Sequence, residues 1–160
     1  MRKTSLFDQV GGLPTLERVH KIFYDKAFAH PWLGKYFEGH SQAFLERRQT
    51  EFMAEKMGGP VEYRGRDPYL AHRAMYIPPE LFRLRSRLLE EALEEAGVPE
   101  ALRRRWLRID NAFHRQIVNP SVADFYSRTW KYELRVIHPC PEGLSEDGEP
   151  PLDSPRLKAD

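Results

Sequence analysis

Apolar positions recur at helical spacing in four long segments of the chain. In LPTLERVHKIFYDKAFAH, Leu16, Val19, Phe23 and Ala27 share one stripe just after Gly11-Gly12, the interval at which a helix buries one face. In SQAFLERRQTEFMAEKMGG, Ser41 is placed to cap, Leu45, Phe52, Met53 and Met57 form the stripe, and Gly58-Gly59 end it. A third helix is expected over PPELFRLRSRLLEEALEEAG, opened by prolines that suit a first turn and closed at Gly97. The fourth, PEALRRRWLRIDNAFHRQIVNP, carries Leu102, Trp106, Ile109, Phe113 and Ile117 on one stripe. Residues 1–119 contain no internal repeat and no convincing hairpin, so an all-α domain is expected up to about residue 120.

Between the second and third helices lies DPYLAHRAMYIPP, residues 67–79. Asp67 can cap and Pro68 can start a helix, while Pro78 and Pro79 forbid a long one. A helix of one to two turns around His72 is expected. After Pro120 the pattern changes. In TWKYELRVI, Trp130, Tyr132, Leu134 and Val136 alternate, which fits a strand or extended arm. Residues 121–138 are therefore expected to form an appended segment, helix or extended arm. Residues 139–160 are rich in proline and acid and are expected to be disordered.

Composition narrows the function classes. The chain has 160 residues, a formal net charge of +1 and 41% hydrophobic content, which fits one globular domain with no global pull toward nucleic acid. The basic run LRRRWLR reads as a salt-bridged helix face rather than a nucleic-acid contact. No segment approaches the roughly 18 apolar residues of a membrane span, and the N-terminus lacks the apolar stretch of a secretory signal. The single cysteine, Cys140, cannot form an internal disulfide and favours a reducing cytoplasm. Its Cys-Pro context carries almost no weight as a haem motif.

His72 is the residue whose chemistry needs an account. In a short apolar helix it is either a packed core histidine or a ligand. His20, His30, His40, His114 and His138 form no HxxxH or HExxH pair with it or with one another, so a multi-histidine zinc site is unsupported. A metal on His72 would have His72 as its only protein ligand, as in a haem held by one proximal histidine. Gln49 interrupts the stripe of the second helix on the face of Leu45 and Phe52, and Tyr24 can turn inward beside Phe23. Each admits a bland reading, a capping amide and a packed phenol.

The spacing of these residues resembles that of the truncated haemoglobins, short globins with a two-on-two helical sandwich around one haem. The resemblance runs from about Leu6 to Ile117. LFDQVGG looks like the family's opening glycine pair, and Phe23-Tyr24 like the pair bearing its distal tyrosine. Phe37 matches the corner phenylalanine that wedges the haem. FLERRQTEFMAEKMGGP resembles the distal helix, with Leu45 at the gate, Gln49 at the distal glutamine and Phe52 at a flanking aromatic. EYRGRDPYLAH then brings His72 to the proximal position without a gap from Tyr24 onward. The tyrosine–glutamine pair points to the family's first group, and the third helix lacks the tryptophan typical of the others.

The resemblance implies haem b (iron protoporphyrin IX) with His72 as the iron ligand and Tyr24 and Gln49 stabilising bound dioxygen. Phe37, Leu45, Arg48, Phe52, Met53, Tyr63, Met75 and Ile77, with Leu70, become candidate haem contacts. Arg48 is a weak candidate for a haem propionate. Arg85 falls where relatives place an apolar residue or tryptophan. It is expected to be solvated, with Leu84 or Leu88 facing inward. If it pointed inward it could steer an anion such as nitrite.

Three function classes remain in view. The first binds dioxygen, nitric oxide or another diatomic ligand, with nitric oxide dioxygenase, peroxidase or nitrite chemistry and an external electron donor. The second is a reversible oxygen carrier or gas sensor without turnover, and the third a haem-free helical interaction module. A monomer and a homodimer are equally compatible with the sequence.

Overall fold

The computed structural model describes residues 4–129 and 134–144. Eight helices are found among them. They are α1 (Leu6–Val10), α2 (Gly12–Ala29), α3 (Gln42–Lys56), α4 (Pro68–His72), α5 (Pro79–Glu95), α6 (Glu100–Asn111), α7 (His114–Ile117) and α8 (Val122–Arg128), and a 3-10 turn covers Leu33–Phe37. Helix α2 packs on both α3 and α5, and α5 on α6. This is the two-on-two helical sandwich that the family resemblance implies.

The helix ends follow local chemistry. The Ser41 hydroxyl accepts from Phe44 N to start α3, and the Asp67 carboxylate accepts from Tyr69 N ahead of Pro68 to start α4. Pro79 occupies the first turn of α5, where its missing N–H would have had no helical partner. Gly58 follows the end of α3 at φ 84°, the left-handed conformation that glycine adopts without strain. At Gly59 a close approach is the constraint. A Cβ there would lie 2.7 Å from Cγ of Phe7, and Phe7 N also donates to Met57 O at 3.1 Å. The second glycine pair thus seats α1, a short helix that the apolar spacing alone does not announce.

The core joins Leu16, Val19, Phe23 and Ala27 of α2 to Met53 and Ala54 of α3, Leu81, Leu84, Leu88, Leu89 and Leu93 of α5, and Trp106 of α6. The fourth expected helix is divided: α6 ends at Asn111 and α7 is a separate turn.

Beyond Pro120 the chain forms α8 and then returns to the helical body. Val136 makes an isolated parallel bridge to Met75. Tyr76 N donates to Val136 O at 2.8 Å, and Val136 N donates to Ala74 O at 2.7 Å. The Trp32 indole N–H donates to His138 O at 2.8 Å, and the ring of His138 packs edge-on against Tyr36. Residues 134–138 therefore include an extended arm. The expected alternation at Trp130 and Tyr132 lies outside the described residues, as does most of the expected disordered tail. No described helix is long and apolar enough to cross a membrane.

Candidate functional site

A cavity of about 750 Å³ opens between α2, the 3-10 turn, α3, α4, α5 and α6, within the roughly 300–1,000 Å³ typical of cofactor-sized sites. Tyr24, Phe37, Leu45, Arg48, Gln49, Phe52, Tyr63, His72, Met75 and Ile77 all line it. Met53 does not. It is fully buried in the core, because one residue past Phe52 the helix has already turned away from the cavity. Leu70 is 54% exposed and lies outside the lining.

The histidine is held in one tautomer. His72 Nδ1 lies 2.7 Å from Pro68 O, one turn earlier on α4. A carbonyl oxygen only accepts, so the proton resides on Nδ1 and the Nε2 lone pair stays free. Burial holds the imidazole below its ordinary pKa, against the pull of the Pro68 bond, and the charge of Arg85 lowers it further. The ring is thus kept neutral, the form that ligates a metal.

The walls are aromatic. Phe52 meets both Tyr63 and Phe113 edge-on at 5.1 Å, while Phe37 stacks on Phe28 at 5.0 Å and sits edge-on to Tyr24. The Tyr24 phenol is pushed up to about 12, chiefly by burial, with Arg85 opposing, so it remains an O–H donor. Neither the Tyr24 hydroxyl nor the Gln49 amide is hydrogen-bonded to another described residue. Two unengaged donors therefore share one apolar cavity with one free imidazole nitrogen. A flat apolar macrocycle with a single metal fits this donor set; a multi-ligand ion does not, and no cluster of three metal-binding side chains occurs among the described residues.

The model of the bacterial-like globin family matches residues 5–119. The chain belongs to the bacterial-like globins, as a truncated haemoglobin. It is 36% identical over 95 residues to a group 1 truncated haemoglobin of Mycolicibacterium paratuberculosis, covering 59% of this chain and 70% of that one. The solved haemoglobin of Chloroflexus aurantiacus is 28% identical, with a TM-score of 0.65 over 73% of this chain and 100% of that one. The truncated haemoglobin of Tetrahymena pyriformis, at 22% identity, shares the fold with a TM-score of 0.68 over 72% and 99% of the two chains. Family membership carries haem-based binding of small diatomic ligands such as dioxygen.

This globin departs from the sequence reading at Arg85. Half-buried rather than free in solvent, Arg85 lines the cavity and forms a two-pronged ion pair with Asp110 of α6, its NH2 2.9 Å from Oδ1 and its NH1 close to Oδ2. The guanidinium also lies over Phe23 at 5.3 Å and Phe82 at 5.8 Å. A buried arginine is costly only when unpaired, and Asp110 supplies the partner. Leu84 and Leu88 are indeed buried. The sequence reading does not single out Asp110, although the residue carries a visible signal. It stands one turn after Trp106 and three residues before Phe113, a carboxylate on an apolar stripe. Arg64 and Arg66 also line the cavity beside Arg48. Nothing in their loop sequence distinguishes them from ordinary surface charges.

Proposed function

We propose that this globin holds haem b on His72 and oxidises nitric oxide to nitrate, one dioxygen and one electron from an external donor being consumed per nitric oxide. The observation that carries the reading is the pairing, in one cavity, of an imidazole fixed by Pro68 O with the unengaged Tyr24 hydroxyl and Gln49 amide. Haem, when bound, supplies the iron that takes up dioxygen and the redox chemistry.

The chain's own residues supply position and polarity. The bond from His72 Nδ1 to Pro68 O orients the ring and raises the basicity of Nε2. Phe37, Phe52, Met75 and Ile77 give the macrocycle apolar contact and exclude water. Tyr24 and Gln49 donate to the ligand, each hydrogen bond to a charged group being worth about 1.5–3 kcal/mol. Leu45 keeps the approach apolar, and Arg48, with Arg64 and Arg66, is available to the haem carboxylates. We place the reaction in the cytoplasm, where the lone exposed Cys140 stays reduced.

Two measurements test the reading. The purified chain is expected to show an intense Soret band that is lost or radically shifted in His72→Ala; an unchanged mutant spectrum excludes His72 as the iron ligand. Steady-state nitric oxide consumption with a reductase present is expected to be catalytic. Ligand binding without turnover would favour the second reading, a reversible carrier or sensor. That alternative draws on the arm at Val136, which bonds to the segment just after His72.

A further inference from the structure

We propose that Arg85 makes the ligand cavity selective for small monovalent anions of the nitrite class, with the paired carboxylate of Asp110 limiting the strength of that binding. The proposal rests on the haem reading above and specifies a ligand class for the same site.

The two halves of the ion pair face the cavity unequally. The Arg85 side chain keeps 23% of its surface accessible, that of Asp110 only 5%. Both side chains line the cavity, and that of Arg85 is the more accessible to an entering ligand. Arginine has five N–H donors, and the pair with Asp110 occupies two of them. The others remain for a second acceptor. Phe23 and Phe82, stacked against the guanidinium, keep the planar group from swinging away.

The surrounding charge agrees. Four arginines (Arg48, Arg64, Arg66 and Arg85) line the cavity against one carboxylate, Asp110, although the whole chain carries only +1. Arg48 and Arg64 are paired outside the cavity with Glu51 and Glu62, whereas the partner of Arg85, Asp110, lies in the cavity wall beside it. The field of Arg85 is not cancelled by its partner. At Tyr24, after the dominant effect of burial, the pull of Arg85 exceeds the opposing push of Asp110. Tyr24, Gln49 and Arg85 line one cavity, so an anion in it can take a charge-assisted hydrogen bond from the guanidinium that a neutral ligand of equal size lacks.

The test is a spectral titration of the ferric holoprotein with sodium nitrite and, separately, with neutral imidazole. In Arg85→Leu, nitrite affinity is expected to fall about tenfold to a hundredfold, while imidazole affinity stays within about twofold. Arg85→Lys should restore most of the nitrite affinity. Asp110→Asn, which frees the guanidinium, should raise it. That opposite sign separates an electrostatic role from a structural one, since a merely structural pair would weaken binding from either side. Should Arg85→Leu not fold, the double variant Arg85→Leu/Asp110→Leu removes both buried charges and is expected to show the same selective loss of nitrite. Equal losses for nitrite and imidazole, or weaker nitrite binding in a folded Asp110→Asn, overturn the proposal. A wild-type chain without a Soret band defeats the haem reading and this proposal together, whereas a Soret band with nitrite affinity indifferent to Arg85 defeats this proposal alone.

Discussion

His20 offers a sharp test of how burial couples this fold to pH. It is fully buried on α2, with Nδ1 2.7 Å from Thr50 Oγ1 and its ring edge-on to Trp106 at 5.8 Å. Its Nε2 has no partner among the described residues. Burial, assisted by the charge of Arg85, pushes the imidazole from 6.5 down to about 3. An unfolded chain takes up this proton near pH 6.5, but the folded chain refuses it until about pH 3. Between those values the unfolded state binds more protons, so stability rises with pH. The contribution is fully present above pH 6.5 and is lost as the pH falls toward 3. Each pH unit within that window is worth about 1.4 kcal/mol, so about 2 kcal/mol is gone by pH 5 and about 5 kcal/mol in all. His20→Leu removes the titrating group. Guanidinium unfolding of both holoproteins at pH 7.5, 6 and 5, at equal protein concentration, should show the wild type losing about 2 kcal/mol relative to the variant by pH 5. His72 is present in both chains, so its own depressed value cancels in the difference. Parallel stability curves would refute the reasoning, as would a ring resonance of His20 that titrates near 6.5.

Three further outcomes are expected. Tyr24→Phe removes the buried phenolic donor and should speed dioxygen release about tenfold to a hundredfold in a stopped-flow displacement experiment; an unchanged rate removes Tyr24 from the ligand. Trp32→Phe leaves His138 O without its indole donor and should cost about 0.5–1.5 kcal/mol in urea unfolding. Gly59→Ala drives a methyl to 2.7 Å from the Phe7 ring and should destabilise by about 1–3 kcal/mol, with Phe7→Leu relieving part of the loss.

Much of the fold is legible because helix periodicity and end signals agree. Ser41 opens α3 and Gly58 follows its end, and Pro79 begins α5. The cavity is legible through residues that break an apolar stripe, as Gln49 does, or that stand alone between prolines, as His72 does. Arg85 shows the limit. Its burial depends on Asp110, 25 residues away on another helix, and pairwise compensation across helices leaves no periodic trace. The same stripe-breaking logic applied to α6 would have singled out Asp110. The C-terminal arm was harder still. The alternation ending at Val136 permits a strand, but its partner is the irregular backbone at Met75, which no strand signal marks. The split between α6 and α7 leaves no mark in the sequence because Phe113 and Ile117 continue the apolar stripe across the break.

The arm has a mechanical consequence. Val136 bonds to Ala74 and Tyr76, two and four residues beyond the histidine that faces the cavity. A load applied to the chain beyond residue 144 therefore acts as on a lever. It meets the bonds of His138 to Trp32 and Tyr36 first, and then the two backbone hydrogen bonds of Val136 to the segment just after His72. Among the described residues, the carboxyl-side arm bonds to the backbone just after the imidazole, whereas α1 is seated on Met57 at the end of α3.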